Sequence, residues 1–178
     1  MVEEADDPVE FIREEIHEAA HHMRESWLKW AALLSAIFAV LAAVSGLQSA
    51  HYANDAMIEQ IEASDQWGYY QAKGTKAMVL ESEMRILSQL GSTDAAAMQQ
   101  QIEKYRHEQA EIKAEAESKV ALSRAHLARH ETLSRAVTLF QVAIAIIAIT
   151  ILTKRRRFLL VSVGAAGLGL FFFIASYL

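Results

Sequence analysis

The sequence contains no cysteine, and proline occurs only once among its 178 residues. The absence of cysteine excludes disulfide bonds and thiol chemistry, although it does not fix the cellular compartment. Basic residues are not gathered on one face, and the net charge is −5. Because binding to nucleic acid needs a positive face, we expect no nucleic-acid partner. Nothing in the residue pattern indicates a cofactor.

Apolar residues are abundant, at 53% of the chain, and they are concentrated in three blocks. The blocks are residues 27–50, 136–153 and 158–178, and each reaches or approaches the roughly 20 apolar residues needed to cross a bilayer. The stretch before the first block is long and acidic rather than short and basic, so we expect no cleaved signal peptide. The sequence therefore predicts an integral membrane protein with three transmembrane helices and the lipid bilayer as its first partner.

A short basic loop separates the second block from the third. It consists of Lys154, Arg155, Arg156 and Arg157. Because Lys and Arg are retained on the cytoplasmic side of membrane spans, this loop predicts a cytoplasmic connection. The N-terminus then lies inside and residues 51–135 lie outside. Arg124, Arg129 and Arg135 favour the opposite orientation.

Residues 51–135 are polar, lack proline and contain one convincing break, at residues 91–94. After the break, residues 98–137 keep a heptad alternation, which is typical of helices that pack side by side. Opposite charges match when residue i faces about 185 − i in a hairpin of two helices. Lys73 then faces Glu108, Glu81 faces Lys104, and Glu59 and Glu62 face the stretch that holds Lys119. We therefore predict an all-α fold with a long, coiled-coil-like antiparallel helical hairpin between spans one and two.

The acidic N-terminal stretch, residues 1–26, is predicted to form a short amphipathic helix that begins at Pro8. It contains the pattern of zinc peptidases, in which His17 and His21 would bind the metal and Glu18 would polarise a water. Such enzymes also need a third ligand and a substrate cleft, and a short terminal helix offers neither. A metal-dependent hydrolase is thus a remote interpretation, and we expect that the chain is not an enzyme.

A second group of polar residues is predicted at the base of the hairpin. It consists of His51, Asp55, His126 and His130. The hairpin register brings Asp55 near His130, so the group could bind a metal ion or respond to pH. The alternative is a hydrogen-bonded layer between the helices. Together with His17 and His21, these four residues are the candidate metal ligands.

Trp67, Tyr69 and Tyr70 form the densest aromatic patch outside the three blocks. Tryptophan and tyrosine often anchor protein interfaces, so this patch is a candidate surface for a protein partner. The alternative is ordinary packing between the hairpin helices or with a neighbouring subunit.

Function is predicted mainly from what the blocks contain. No acid or histidine lies deep in a block, which weighs against an ion-coupled transporter. Small residues recur four apart, which favours close helix packing and a homo-oligomer. Our leading prediction is a non-enzymatic oligomeric scaffold or partner-docking protein. The alternative is a homo-oligomeric ion or small-solute channel, with the hairpin as vestibule and a pore lined by Ser35, Ser45 and Gln48 or by Thr138 and Gln141.

Two segments carry a family resemblance: SDQWGYYQAK at Ser64–Lys73, and the stretch from Arg129 to Arg157 that ends in the basic loop. With the His-containing acidic N-terminus, they resemble a bacterial membrane-protein family known as domain of unknown function 4337. Gly68 stands where such relatives are expected to carry alanine. The resemblance implies a bacterial inner-membrane protein with three spans, and it implies no activity.

Overall fold

The computed structural model describes residues 8–90 and 95–177, with side chains described for 26–90 and 96–177. Three α-helices make up this part of the chain: α1 (Pro8–Gln89), α2 (Ala95–Thr153) and α3 (Arg157–Ala175). Each contains a segment long and apolar enough to cross a membrane. The all-α prediction with three candidate spans is therefore confirmed.

α1 is one helix of 82 residues. It begins at Pro8, whose fixed backbone angle suits the first helical turn. No proline follows Pro8 in α1, and no glycine occurs before Gly46, so no helix breaker separates the N-terminal part from the first apolar block. The predicted N-terminal helix is therefore the start of α1 rather than a separate element. The predicted turn at 91–94 lies outside the described residues.

The three helices form two compact units. The first combines Met1–Gln48 with Thr132–Leu178 and is called the membrane unit below. The second is Ser49–Glu131, called the hairpin unit. Because α1 and α2 each contribute to both units, each unit contains an antiparallel pair of helix segments.

In the membrane unit, buried alanines and a few large apolar side chains share the core, and α3 packs closely on α2. Phe140 and Leu133 are fully buried. A Cβ atom added at Gly169 would lie 3.1 Å from the Phe140 ring and 3.3 Å from the carbonyl oxygen of Ala136. A side chain at this position would force the two helices to shift, and in a lipid environment such close contact is a main source of helix association.

In the hairpin unit, the residues between the helices are mostly small. The α1 side presents Ala56, Ala63 and Ala77, all buried and seven or fourteen residues apart. On α2, all of the predicted heptad positions from residue 98 to residue 137 are buried or half-buried, and Ala116 is completely so. The predicted heptad seam is therefore the contact surface of α2.

The register of the hairpin differs from the prediction. Ser123 Oγ donates a hydrogen bond of 2.8 Å to the carbonyl oxygen of Ala56, and Ser49 bonds to His130, so in both contacts the residue numbers sum to 179 rather than 185. Charged side chains are long and reach about one turn in either direction, so they define the register only to within a turn. Short side chains at the seam define it more narrowly.

Candidate functional site

Ser49 and His130 join α1 to α2 at one end of the hairpin unit. The His130 Nδ1 atom lies 2.8 Å from the carbonyl oxygen of Ser49 and 2.9 Å from its Oγ atom. Ser49 Oγ in turn lies 3.2 Å from the carbonyl oxygen of His130 and donates to it. With a proton on Nδ1, the His130 imidazole donates a hydrogen bond to the Ser49 carbonyl in return. The pair therefore locks the two helices in register.

Tyr52 lies one turn along α1 and is enclosed by two residues of α2. Its ring stacks on the His126 imidazole with centroids 5.9 Å apart, and the guanidinium of Arg129 lies 5.6 Å from the ring centroid. The Nδ1 atom of His126 is buried and has no hydrogen-bond partner in the described part of the chain. This layer is an aromatic and cationic contact between the two helices. Tyr52 was not among the residues predicted from the sequence.

The candidate ligands at the hairpin base are thus distributed among different contacts. His51 and Asp55 pair one turn apart on α1, with 3.4 Å between Nε2 and Oδ2, while His126 and His130 contact Tyr52 and Ser49. Among residues with described side chains, no three His, Asp or Glu residues are grouped so that they could hold a metal ion. The side chains of His17, Glu18 and His21 lie outside the described residues.

Lys119 is the centre of an ion-pair cluster between the two helices. Its Nζ atom lies 2.6 Å from Glu62 Oε2 and 3.1 Å from Glu59 Oε2. Hydrogen bonds to Glu62 and Glu59 raise the pKa of Lys119 above its ordinary value. The register predicted from the sequence places Glu59 and Glu62 opposite the stretch that holds Lys119. The structure brings these three side chains together.

Further along the hairpin, Lys73 donates to Glu108 and Arg106 donates to Glu81. The hydrogen bond from Lys73 lowers the pKa of Glu108 below its ordinary value. The first pair is the one predicted from the sequence. Glu81, however, was predicted to face Lys104, and it pairs instead with Arg106, because a long arginine side chain can reach a carboxylate outside the direct register.

The three residues of the predicted aromatic patch lie in different environments. The Trp67 and Tyr70 rings meet edge to face with centroids 5.4 Å apart, and both residues are half-buried against the hairpin. Tyr69 points away from them and is 62% exposed. Two members of the patch therefore pack within the chain, and Tyr69 alone is available to a partner.

α1 carries a second heptad seam, on the face opposite the one that packs on α2. It contains exposed apolar side chains at Ile58, Ile61, Val79 and Ile86, which are 45–59% exposed. The positions between them are small or uncharged except for Asp65: they are Gly68, Ala72, Thr75 and Ser82, all exposed. We call this surface the outer seam. This heptad spacing is visible in the sequence. The pairing of α1 with α2 does not explain it, because α2 packs on the opposite face of α1.

The polar residues predicted to line a pore lie in two different environments. Ser45 is fully buried and donates to the Leu41 carbonyl of its own helix, and Gln48 accepts a hydrogen bond from Tyr177. Thr138 and Gln141 are exposed on α2. Of the two residue sets predicted to line a pore, the first is thus engaged within the chain at Ser45 and Gln48, and the second faces outward.

The basic loop connects α2 to α3 in a tight turn. Lys154 has a φ of 55°, a left-handed conformation that non-glycine residues seldom adopt. The Phe158 and Leu159 amides donate to the carbonyl oxygens of Arg155 and Arg156, which begins α3 at once. All four basic residues of the loop are exposed.

These features define a helical membrane-protein class: three candidate spans, with a polar antiparallel hairpin between the first two. Within that class, the chain belongs to the family described as Domain of unknown function (DUF4337), whose model matches residues 27–178. The match excludes the acidic N-terminus, so the part of the resemblance that was placed there falls outside the family model. No curated protein and no solved structure matches the chain.

Proposed function

We propose that this protein is a non-enzymatic, homo-oligomeric membrane scaffold whose copies associate through the outer seam of α1. The observation that carries the proposal is the exposure of Ile58, Ile61, Val79 and Ile86 along one heptad-spaced stripe in a polar hairpin. Apolar side chains at this spacing pack against another helix, and on the chain alone they face water.

The proposed occupant of the outer seam is α2 of a second copy. The outward face of α2 presents exposed alanines at helical spacing: Ala110, Ala114, Ala121 and Ala125. In the register of this hairpin, Ile58 lies at the level of Ala121, since their numbers sum to 179 as do those of the Ser123–Ala56 contact. Copies that stand side by side in one membrane would therefore place large side chains of α1 opposite small ones of α2.

Charge supports the same pairing. Between Ser49 and Gln71, α1 has four acidic residues and no Lys or Arg. At the level of residues 49–61 of α1, residues 118–130 of α2 carry exposed Arg124 and Arg129 and no acidic residue. An α1 face of one copy beside an α2 face of the next brings opposite charges together, whereas two α1 faces would bring acids together. Charge complementarity thus favours a head-to-tail arrangement over a two-fold symmetric one.

A second contact between copies is proposed in the membrane unit. Gln141 and Thr138 are exposed on one face of α2, within the segment apolar enough to span a bilayer. A glutamine amide that faces lipid has no hydrogen-bonding solvent, and a neighbouring helix can supply the missing partner.

The same observation favours a second candidate function, a homo-oligomeric channel. If the Thr138 and Gln141 faces of several copies surround an axis, their polar groups would line a pore. In that case purified protein in planar bilayers conducts, and Gln141→Ala changes the conductance. Protein that assembles into rings but never conducts at any voltage or pH would contradict this candidate and leave the scaffold.

For localisation, we propose the inner membrane of a bacterium, with the N-terminus inside and the hairpin outside. The basic loop at Lys154–Arg157 supports this orientation, because basic residues are retained on the cytoplasmic side. The cysteine-free sequence makes the test direct, since a single cysteine at Leu127 reports its own exposure. Labelling of intact cells by a membrane-impermeant maleimide is expected at Leu127→Cys, and labelling only after lysis would contradict the orientation.

The proposed oligomer is tested by mass photometry of protein in lipid nanodiscs. Ile58→Glu places a charge in the outer seam and is expected to lower the mass of the assembly. The matched control is Leu127→Glu, which has the same change in charge at a residue of similar exposure, 47% against 45%, away from the alanine face. A wild-type protein that is monomeric, or an Ile58→Glu protein with unchanged mass, would contradict the proposal.

A further inference from the structure

The basic loop holds a cavity whose lining is entirely arginine. Arg155, Arg156 and Arg157 line an open pocket of about 460 Å³, and all three are exposed. Three positive charges on consecutive residues repel one another, and an anion bound among them would relieve that repulsion. None of the three forms an ion pair with a carboxylate of the residues whose side chains are described.

The backbone of the loop adds to the positive potential at this cavity. α3 begins at Arg157, and its first turn contains no acidic residue and receives no side-chain cap from Arg156. The N-terminal end of a helix carries a partial positive charge and commonly binds phosphate or carboxylate groups. Here that end and the three guanidinium groups coincide.

The surroundings of the cavity suit a lipid. Leu152, two residues before the loop, is 82% exposed, and Leu160, three residues after it, is 77% exposed. On the other side, the Arg156 guanidinium lies 5.7 Å from the ring centroid of Trp27, a residue type that is enriched at the level of lipid headgroups. The cavity is therefore flanked by apolar surface on two candidate spans and by an aromatic residue suited to the membrane interface.

We propose that Arg155, Arg156 and Arg157 form a binding site for the headgroup phosphate of an anionic phospholipid, whose acyl chains lie against Leu152 and Leu160. Guanidinium groups bind phosphate oxygens in pairs of parallel hydrogen bonds, which lysine cannot reproduce. The left-handed conformation of Lys154 turns the chain so that the three arginines follow at the membrane end of α3. The site thus selects lipids by phosphate geometry as well as by charge.

The test is native mass spectrometry of the full chain, released from nanodiscs that contain phosphatidylglycerol, cardiolipin and phosphatidylcholine. Wild-type protein is expected to retain the two anionic lipids and to lose phosphatidylcholine. The variant Arg155→Lys/Arg156→Lys/Arg157→Lys keeps the charge and hence the topology signal, and its retention is expected to fall roughly tenfold. The control Arg85→Lys/Arg106→Lys, in the hairpin unit, is expected to retain lipid like the wild type.

Three results would overturn the proposal. Equal retention of anionic and zwitterionic lipid by the wild-type protein would mean that the cavity binds no lipid phosphate, as when the acidic N-terminus fills it. Equal retention by the triple lysine variant would mean that charge alone attracts the lipid. Complete displacement of the bound lipid by millimolar inorganic phosphate would identify soluble phosphate as the ligand.

Discussion

The same two helices pack together in both units, yet the hairpin unit and the membrane unit do so with different residues. In the hairpin unit the buried residues are alanine and serine apart from Ile102, and Ala63 and Ala116 are completely buried. In the membrane unit the core also contains buried alanines, such as Ala136, but large side chains, such as Phe140, are buried beside them. Small residues are the common means of association between helices in lipid, and here they are also the main contact of the hairpin.

The difference shows which contacts fix the pairing of the helices in each unit. The hairpin pairs by close approach of backbones, with Ser123 bonded to the Ala56 carbonyl and ion pairs such as Lys119 with Glu62 at the edges. The membrane unit also buries alanines, and it gains further contact area from aromatic and aliphatic side chains, while α3 approaches α2 closely at Gly169. The two units thus share small-residue contacts and differ in the large side chains that the membrane unit adds.

The largest effect is expected from Gly169→Leu. Because even a Cβ atom there would lie 3.1 Å from the Phe140 ring, a leucine cannot fit unless α3 separates from α2. We expect a loss of stability of about 3 kcal/mol, measured by unfolding in detergent. Gly167→Leu is the matched control, since a Cβ atom at Gly167 meets no atom within 4 Å. Equal loss in both variants would mean that α3 does not depend on this contact.

In the hairpin unit, Ala63→Leu is expected to have a smaller effect. Ala63 lies opposite Ala116, and both are completely buried, so the extra methyl groups force the helices apart. The hairpin can separate locally without affecting a large core, and we expect a loss of about 2 kcal/mol in thermal unfolding followed by circular dichroism. Ala97→Leu, at an exposed position of α2, should leave the melting temperature unchanged. An unchanged melt for Ala63→Leu would contradict the close packing described here.

One kind of hydrogen bond, from a serine side chain to a backbone carbonyl of the neighbouring helix, occurs in both units. Ser123 Oγ donates to the Ala56 carbonyl in the hairpin unit and Ser162 Oγ donates to the Ala143 carbonyl in the membrane unit, both at 2.8 Å. Replacement of either serine by alanine is expected to cost about 0.5–1 kcal/mol, measured by chemical unfolding. A cost above that range at Ser162 alone would indicate that the lipid environment strengthens the bond more than we expect.

The smallest effect is expected when the pH is lowered into the acid range. Lys73 lowers the pKa of Glu108, so the stabilisation by this pair is present above the ordinary carboxyl pKa and is lost as the pH falls through the lowered value. The difference in melting temperature between wild type and Glu108→Gln should therefore be present at pH 7 and shrink in acid. Glu83→Gln, at an exposed position of α1, should show no such dependence. A difference that is constant with pH would contradict the assignment.

Much of the fold follows from sequence patterns, and the parts that do not have identifiable causes. The three apolar blocks and the heptad positions from 98 to 137 predict the helices and the buried face of α2, because periodicity and length are local properties. The register was wrong by six residues, since charges were used to define it while Ser49, Ser123 and the alanines determine it. A search for close small-residue pairs could have found the correct one.

The candidate sites were harder to predict. Histidines at helical spacing suggested a shared site, but the partners that His126 and His130 contact, Tyr52 and Ser49, are set by the register. The outer seam was visible as a spacing of Ile58, Ile61, Val79 and Ile86, yet a pattern alone does not say which of two faces packs within the chain. Only the position of α2 identifies the face that remains exposed.

The most direct test of the proposed assembly is cross-linking between two differently tagged copies expressed together. One copy carries Ile58→Cys and the other Ala121→Cys, and the absence of native cysteine means that any disulfide joins these two positions or like copies. A mixed-tag dimer is expected in membranes for this pair, and none is expected for Ile58→Cys with Leu127→Cys. No mixed dimer for Ile58→Cys with Ala121→Cys, or equal dimer for both pairs, would contradict association of the outer seam with the outer face of α2.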